Sequence, residues 1–170
     1  MGPGEEASPM NFVVIGTDHR MQHSDSGLEG LMRAWLTKNY IESLKAVAEE
    51  YSEKIGESIA QLLAHERNLH WYNIDMTMDE KRNAGILEEQ ENRPSEKGIA
   101  FRVPSDEVRE DAWTNKLMSS SSGTTLVICG YLHFNSLVAK LRKKGHAVDQ
   151  RVYLETVPEI KQIERTAQKG

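Results

Sequence analysis

Thr124-Thr125-Leu126-Val127-Ile128-Cys129-Gly130 is the stretch that decides the fold. Two β-branched polar residues lead into four apolar ones, and glycine ends the run. It predicts a strand buried on both faces, the kind that parallel sheets contain. Downstream, Phe134, Leu137, Val138 and Leu141 recur as one helical face, and Gly145 stands where a C′ residue ends a helix. Ala147-Val148 and Val152-Tyr153-Leu154 supply a last strand.

Upstream, Phe12-Val13-Val14-Ile15-Gly16 repeats the all-apolar run closed by glycine. Leu28, Leu31, Met32, Trp35 and Leu36 form the stripe of an amphipathic helix. Ser43-Leu44-Lys45-Ala46-Val47-Ala48 reads as a second strand, with continuation of that helix as the alternative. Ile55, Ile59, Leu62 and Leu63 mark a second helix, and the aromatic-rich His70-Trp71-Tyr72-Asn73-Ile74-Asp75 a third strand. A short helix is expected over 77–82, a long polar loop or lid over 85–104, and a helix over 106–118 with Ser105 as its N-cap.

The order is β-α-β-α-β-α-β-α-β. Such alternation implies a single α/β domain over 11–154, a mostly parallel sheet of about five strands with helices on both faces and right-handed crossovers. Residues 1–10 are expected to be a disordered extension and residues 155–170 a charged tail.

Composition narrows the function classes. A net charge of −5 over 170 residues, with no long Lys/Arg run, argues against nucleic acid. The Lys140, Arg142, Lys143, Lys144 cluster suits the last turn of a helix, where cations favour the dipole. No apolar run approaches the ~20 residues that span a bilayer, so no membrane partner is expected. With one cysteine and no export signal, the expected compartment is cytoplasmic. Cys129, inside an apolar run, reads as a buried small side chain.

Open parallel sheets bind ligands beyond the carboxyl ends of their strands. Two Gly-x-x-His elements lie there: Gly16-Thr17-Asp18-His19 after the first strand and Gly130-Tyr131-Leu132-His133 after the fourth. Glycine permits a sharp turn, and a histidine three residues on can move protons or ligate metal at neutral pH. Glu49-Glu50 ends the second strand and Asp75 the third, so both satisfy the same positional test. Arg20, His23 and Asp25 are substrate-contact candidates on the loop after His19. Arg109 is an anion clamp one helical turn before Trp113, which packs inward. His65, His70 and His146 read as structural. The chain lacks the P-loop, the dinucleotide glycine fingerprint, the Gly-x-Ser-x-Gly elbow and the His-Glu-x-x-His helix.

The order of these elements resembles the TraB/TIKI group and its relatives, the erythromycin esterase and ChaN-like proteins. Gly16 and His19, then Glu49 or Glu50, then Arg109, then the run from Leu126 to His133 and the helix reaching Gly145 carry the likeness. The resemblance implies a small hydrolase of peptidase or esterase type acting on a small-molecule or peptide substrate. It also implies a divalent metal (Mn, Co, Zn or Fe) on His19, His133 and Glu49. In that reading His19, Glu49, Glu50, His133 and Arg109 are catalytic. Arg20, His23 and Asp75 contact the substrate, with Asp75 orienting a histidine. The alternative is a non-catalytic module for a metal, haem or small metabolite. An interaction domain, and assembly into an oligomer, are further expectations.

Overall fold

In the computed structural model, residues 11–23, 26–39, 44–52, 56–97, 99–120 and 123–153 are described. The expectations for 1–10 and 155–170, and those for Asp25 and Ile55, fall outside them, as do the side chains of Arg20, Trp35 and Leu36.

Five strands form one sheet: β1 (Asn11–Thr17), β2 (Leu44–Glu49), β3 (His70–Asn73), β6 (Thr124–Gly130) and β7 (Ala147–Tyr153). Their order is β3-β2-β6-β1-β7, and every neighbouring pair is parallel. The α/β expectation is met, including the second strand where a helix extension had been the alternative. A separate hairpin pairs β4 (Ser95–Glu96) with β5 (Ile99–Ala100).

Side-chain alternation sorts the sheet residues into two cores. Val13, Ile15, Val47, Leu126 and Ile128 pack with Leu28 and Met32 of α1 (Ser26–Asn39) and Leu63 of α2 (Ile59–Glu66). Phe12, Val14, Ala48, Val127 and Cys129 face the other way. They meet Trp113 and Leu117 of α5 (Ser105–Ser120) and Phe134 and Leu137 of α6 (Tyr131–Lys143). Helices therefore cover both faces, and Cys129 is fully buried as its apolar context requires. Gly16 lets α6 lie close, because a Cβ there would stand 2.7 Å from the Phe134 ring.

Residues 85–104 are more structured than a loop. They hold α4 (Leu87–Glu91) and the β4–β5 hairpin, preceded by α3 (Met78–Asn83) with its Thr77–Glu80 capping box. These elements lie on the surface, and neither α3 nor α4 contains a buried residue. They show no apolar stripe because they have little core to meet. Ser105 is not the N-cap expected. The helix already includes it, and its backbone N–H donates to Glu89.

The connection from β1 leads through α1 to β2, beyond β6. The connection from β6 leads through α6 to β7, beyond β1. Two adjacent strands thus send the chain in opposite directions, and their carboxyl ends flank a crevice at that switch point. Thr17 and Gly130, one from each Gly-x-x-His element, are register partners there.

Candidate functional site

Glu50 sits at the centre of the crevice. Strand β2 ends at Glu49, and the Glu50 N–H still donates to Ile128 O at 2.8 Å, so the carboxyl projects over the sheet edge. Its Oε1 accepts from the Gly130 N–H at 2.9 Å. Its Oε2 lies 2.9 Å from Arg109 Nη2, 3.3 Å from His19 Nε2 and 3.7 Å from His133 Nε2. Burial works to raise its pKa, but the positive groups facing it, His19 first among them, outweigh burial and hold it well below the ordinary carboxylate range.

Both Gly-x-x-His histidines reach this carboxylate, each anchored through its other nitrogen. His19 Nδ1 lies 2.5 Å from Gln22 Oε1. Gln22 Nε2 donates to Glu49 and to Glu50 O, so the amide oxygen is the atom left to accept from His19. The Glu50 charge raises the His19 pKa to about 9 against the opposing effect of burial, although the ring stays half exposed. His133 Nδ1 lies 2.6 Å from Glu110 Oε2, and the ring packs edge-on against Trp113.

Arg109 lies on the inner face of α5. Its Nε and Nη2 donate to the two Asp75 oxygens at 3.2 and 2.9 Å, and Nη1 lies 3.4 Å from His133 Nε2. Trp113 Nε1 and Lys81 Nζ complete the setting of Asp75. Burial would raise the Asp75 pKa, but Arg109 outweighs it and holds the carboxyl below its usual range. Asp75 thus meets Arg109 rather than a histidine or a substrate-facing void alone. It also forms part of the wall of one cavity.

The adjacent glutamates separate. Glu49, one residue earlier, points to the opposite face, where Ser58 Oγ, Gln22 Nε2 and Trp71 Nε1 donate to it at 2.5, 2.7 and 3.0 Å. It makes no contact with His19 or His133 in that setting, and burial raises its pKa despite those donors. Its proposed place as a metal ligand is therefore occupied by a structural role, and Glu50 is the carboxylate at the site. The period-two alternation of a strand is the cause. His23 bonds through Nδ1 to Glu57 O at 3.2 Å and lines neither cavity. Arg20 lies in the 3-10 turn His19–Met21.

Two cavities open beside this cluster. One, of about 200 Å³, is lined by Asp18, His19, Glu50, Arg93, Arg109 and residues 130–133. The other, of about 290 Å³, lies on the Tyr51, Asp75 and Lys81 side. His19, Glu50 and Arg109 border both.

Five contributors were not singled out in the sequence: Gln22, Arg93, Arg102, Asp106 and Glu110. Asp106 and Glu110 are fully buried on α5, and each pairs with an arginine from the preceding segment. Arg93 Nη2 and Nη1 meet Asp106 at 2.5 and 2.7 Å, and Arg102 Nη1 and Nη2 meet Glu110 at 2.5 and 2.6 Å. A sequence signal existed. Asp106, Arg109, Glu110 and Trp113 fall at i, i+3, i+4 and i+7, one helical face shared by three charges and an inward tryptophan.

No known protein family, curated protein or solved structure matches this chain. Fold and site therefore define it as a parallel α/β domain with a histidine–glutamate–arginine cluster at its switch point. No helix among the described residues is long and apolar enough to cross a membrane.

Proposed function

We propose that the chain is a small hydrolase of esters or amides, with His133 as base and His19 as acid across the cavity that Glu50 and Arg109 brace. The observation that carries this reading is the convergence of two imidazole Nε2 atoms on one carboxylate oxygen, at 3.3 and 3.7 Å. Their other nitrogens are anchored to different partners. His133 Nε2 takes a proton from water, and the hydroxide adds to the substrate carbonyl. His19, with a pKa near 9, is protonated at neutral pH and supplies the leaving group with a proton. Arg109, held in place by Asp75, faces the oxyanion that develops. A cavity of about 200 Å³ admits a small group, being below the ~300–1,000 Å³ of sites that enclose whole ligands.

A divalent metal fits the chemistry of these donors, two imidazoles and a carboxylate, but not their arrangement. Arg109 already donates to Glu50 Oε2, and its other terminal nitrogen faces the His133 Nε2 lone pair. A fixed guanidinium therefore stands against a second cation at the same atoms. Among the described residues, no three His, Cys, Asp or Glu side chains form a group that could hold an ion. The reading is accordingly metal-independent.

The second reading is a module that binds a small metabolite without turnover. It draws on the cationic side chains of His19, Arg93 and Arg109 in one cavity wall, which suit an anionic group.

A panel of chromogenic esters and short peptides separates these readings. It is run with wild type, His19→Ala and His133→Ala, in EDTA and with Mn²⁺, Co²⁺, Zn²⁺ or Fe²⁺. Turnover in EDTA that drops about 10²–10⁴-fold in each variant supports the acid–base site. Turnover only with an added metal replaces it with a metal-dependent one. No turnover, with an anion raising the melting temperature of wild type but not of His19→Ala, favours the binding module.

A further inference from the structure

We propose that Glu110 is a positioning residue that fixes the His133 tautomer, and that Arg102 fixes Glu110 in turn. The inference deepens the acid–base reading and rests on it. At 2.6 Å from Glu110 Oε2, His133 Nδ1 must carry a proton, since a lone pair there would oppose a carboxylate lone pair. At the other nitrogen, Nε2, the neighbour at 3.4 Å is Arg109 Nη1, which can only donate. The shortest contact at each end of the ring therefore favours the same form: Nδ1–H, with the Nε2 lone pair toward Arg109 at the cavity wall, where Glu50 and Asp106 stand farther off at 3.7 and 4.0 Å. A base needs that form; Glu110 secures it from α5, and Ser136 on the histidine's own helix also bonds that carboxylate.

Glu110 is fully buried, so its orientation depends on what it pairs with. Arg102 meets both oxygens with its two terminal nitrogens, and Nη1 also donates to Leu132 O at 3.1 Å. The same arginine thereby ties the start of α6 to the segment that follows the β4–β5 hairpin. Arg93, on the near side of that hairpin, grips Asp106, the other α5 carboxylate facing His133, and lines the cavity. Glu50 and Arg109 complete the charged groups around the ring. The polar segment expected to be a lid is thus linked to the proton geometry of the base.

The test reads the tautomer directly, by long-range ¹H–¹⁵N spectra of the full chain with ¹⁵N-labelled histidine, over a pH series that takes the His133 ring to its neutral form. His133→Gln identifies the His133 signals. Wild type is expected to show a protonated Nδ1 and a lone-pair Nε2. In Glu110→Leu, Nδ1 loses its acceptor and the Nδ1–H form loses population to Nε2–H. In Glu110→Gln, an amide oxygen in the place of Oε2 still accepts from Arg102 and from Nδ1–H, so the wild-type form is retained. In Arg102→Ala, Glu110 is freed and the Nδ1–H form is lost in part. A wild-type ring in the Nε2–H form, or an unchanged tautomer in folded Glu110→Leu, overturns the proposal. If Glu110→Leu does not fold, the wild-type tautomer alone decides.

Turnover is scored separately. Inversion without turnover in any form retains the positioning role and removes the hydrolase reading. Turnover reduced in Glu110→Leu with an unchanged tautomer does the reverse. Where both hold, inversion is expected to reduce kcat by up to about 10⁴-fold, the scale seen when a base is left in the wrong tautomer.

Discussion

The His19–Glu50 pair gives the chain a stability that depends on pH in a known direction. A histidine whose pKa rises from 6.5 to about 9 on folding stabilises the fold fully below the lower value. That contribution is lost as pH rises through about 9. Thermal melts across this window should therefore fall more steeply for wild type than for His19→Ala. Identical slopes would show that the imidazolium is not paired in solution. Under the hydrolase reading, activity falls over the same upper limb, because the acid loses its proton there. Arg109 makes a larger demand. It is shared by Glu50, which is buried, and Asp75, which is partly buried. Arg109→Met removes the cation the two share and leaves only His19 beside Glu50 and Lys81 beside Asp75, so urea unfolding should report a loss of roughly 3–5 kcal/mol. A loss under 1 kcal/mol would mean that water replaces the guanidinium.

At the scale of elements, the two glycines of the Gly-x-x-His pairs do different work. A Cβ at Gly16 would stand within 2.9 Å of three Phe134 atoms, so Gly16→Ala pushes α6 off β1. The expected cost is about 1–3 kcal/mol, and Gly16→Ala/Phe134→Leu should recover part of it. A Cβ at Gly130 would instead lie 2.9 Å from His19 Nε2 and 3.3 Å from Glu50 Oε1. Gly130→Ala should therefore displace the site histidine more than it disturbs the core. A large shift of the His19 imidazole resonances with a small change in melting temperature is the expected signature. The reverse pattern would place the strain in the sheet. Both glycines were visible as strand terminators, but what each makes room for depends on the side chain brought in by another element.

For the molecule as a whole, the central strand gives a clean probe. Cys129 is fully buried in the middle of the sheet, and burial raises its thiol pKa well above the usual value. A thiol reagent should label it only through unfolding, at a rate that follows global stability across the Arg109 and Gly16 variants. Rapid labelling of the native protein would show that the sheet opens locally at β6.

The sequence by itself determined the class of the fold, because all-apolar runs ending in glycine and helical stripes between them are local signals that solvent exclusion converts directly into strands and helices. It also marked His19, His133 and the pair Glu49-Glu50, since position relative to a strand end can be counted along the chain, and it marked Arg109 as an anion clamp one helical turn before Trp113. Other features appeared only in three dimensions. The order β3-β2-β6-β1-β7 depends on which faces bury together, and no residue spacing encodes it. The choice of Glu50 over Glu49 depends on strand register, which turns neighbours to opposite faces. Gln22, Asp106, Glu110 and Arg102 are ordinary polar residues in sequence. They belong to the site because α5 buries its charges beneath an arginine-bearing cover, and a buried charge must find its partner across the fold.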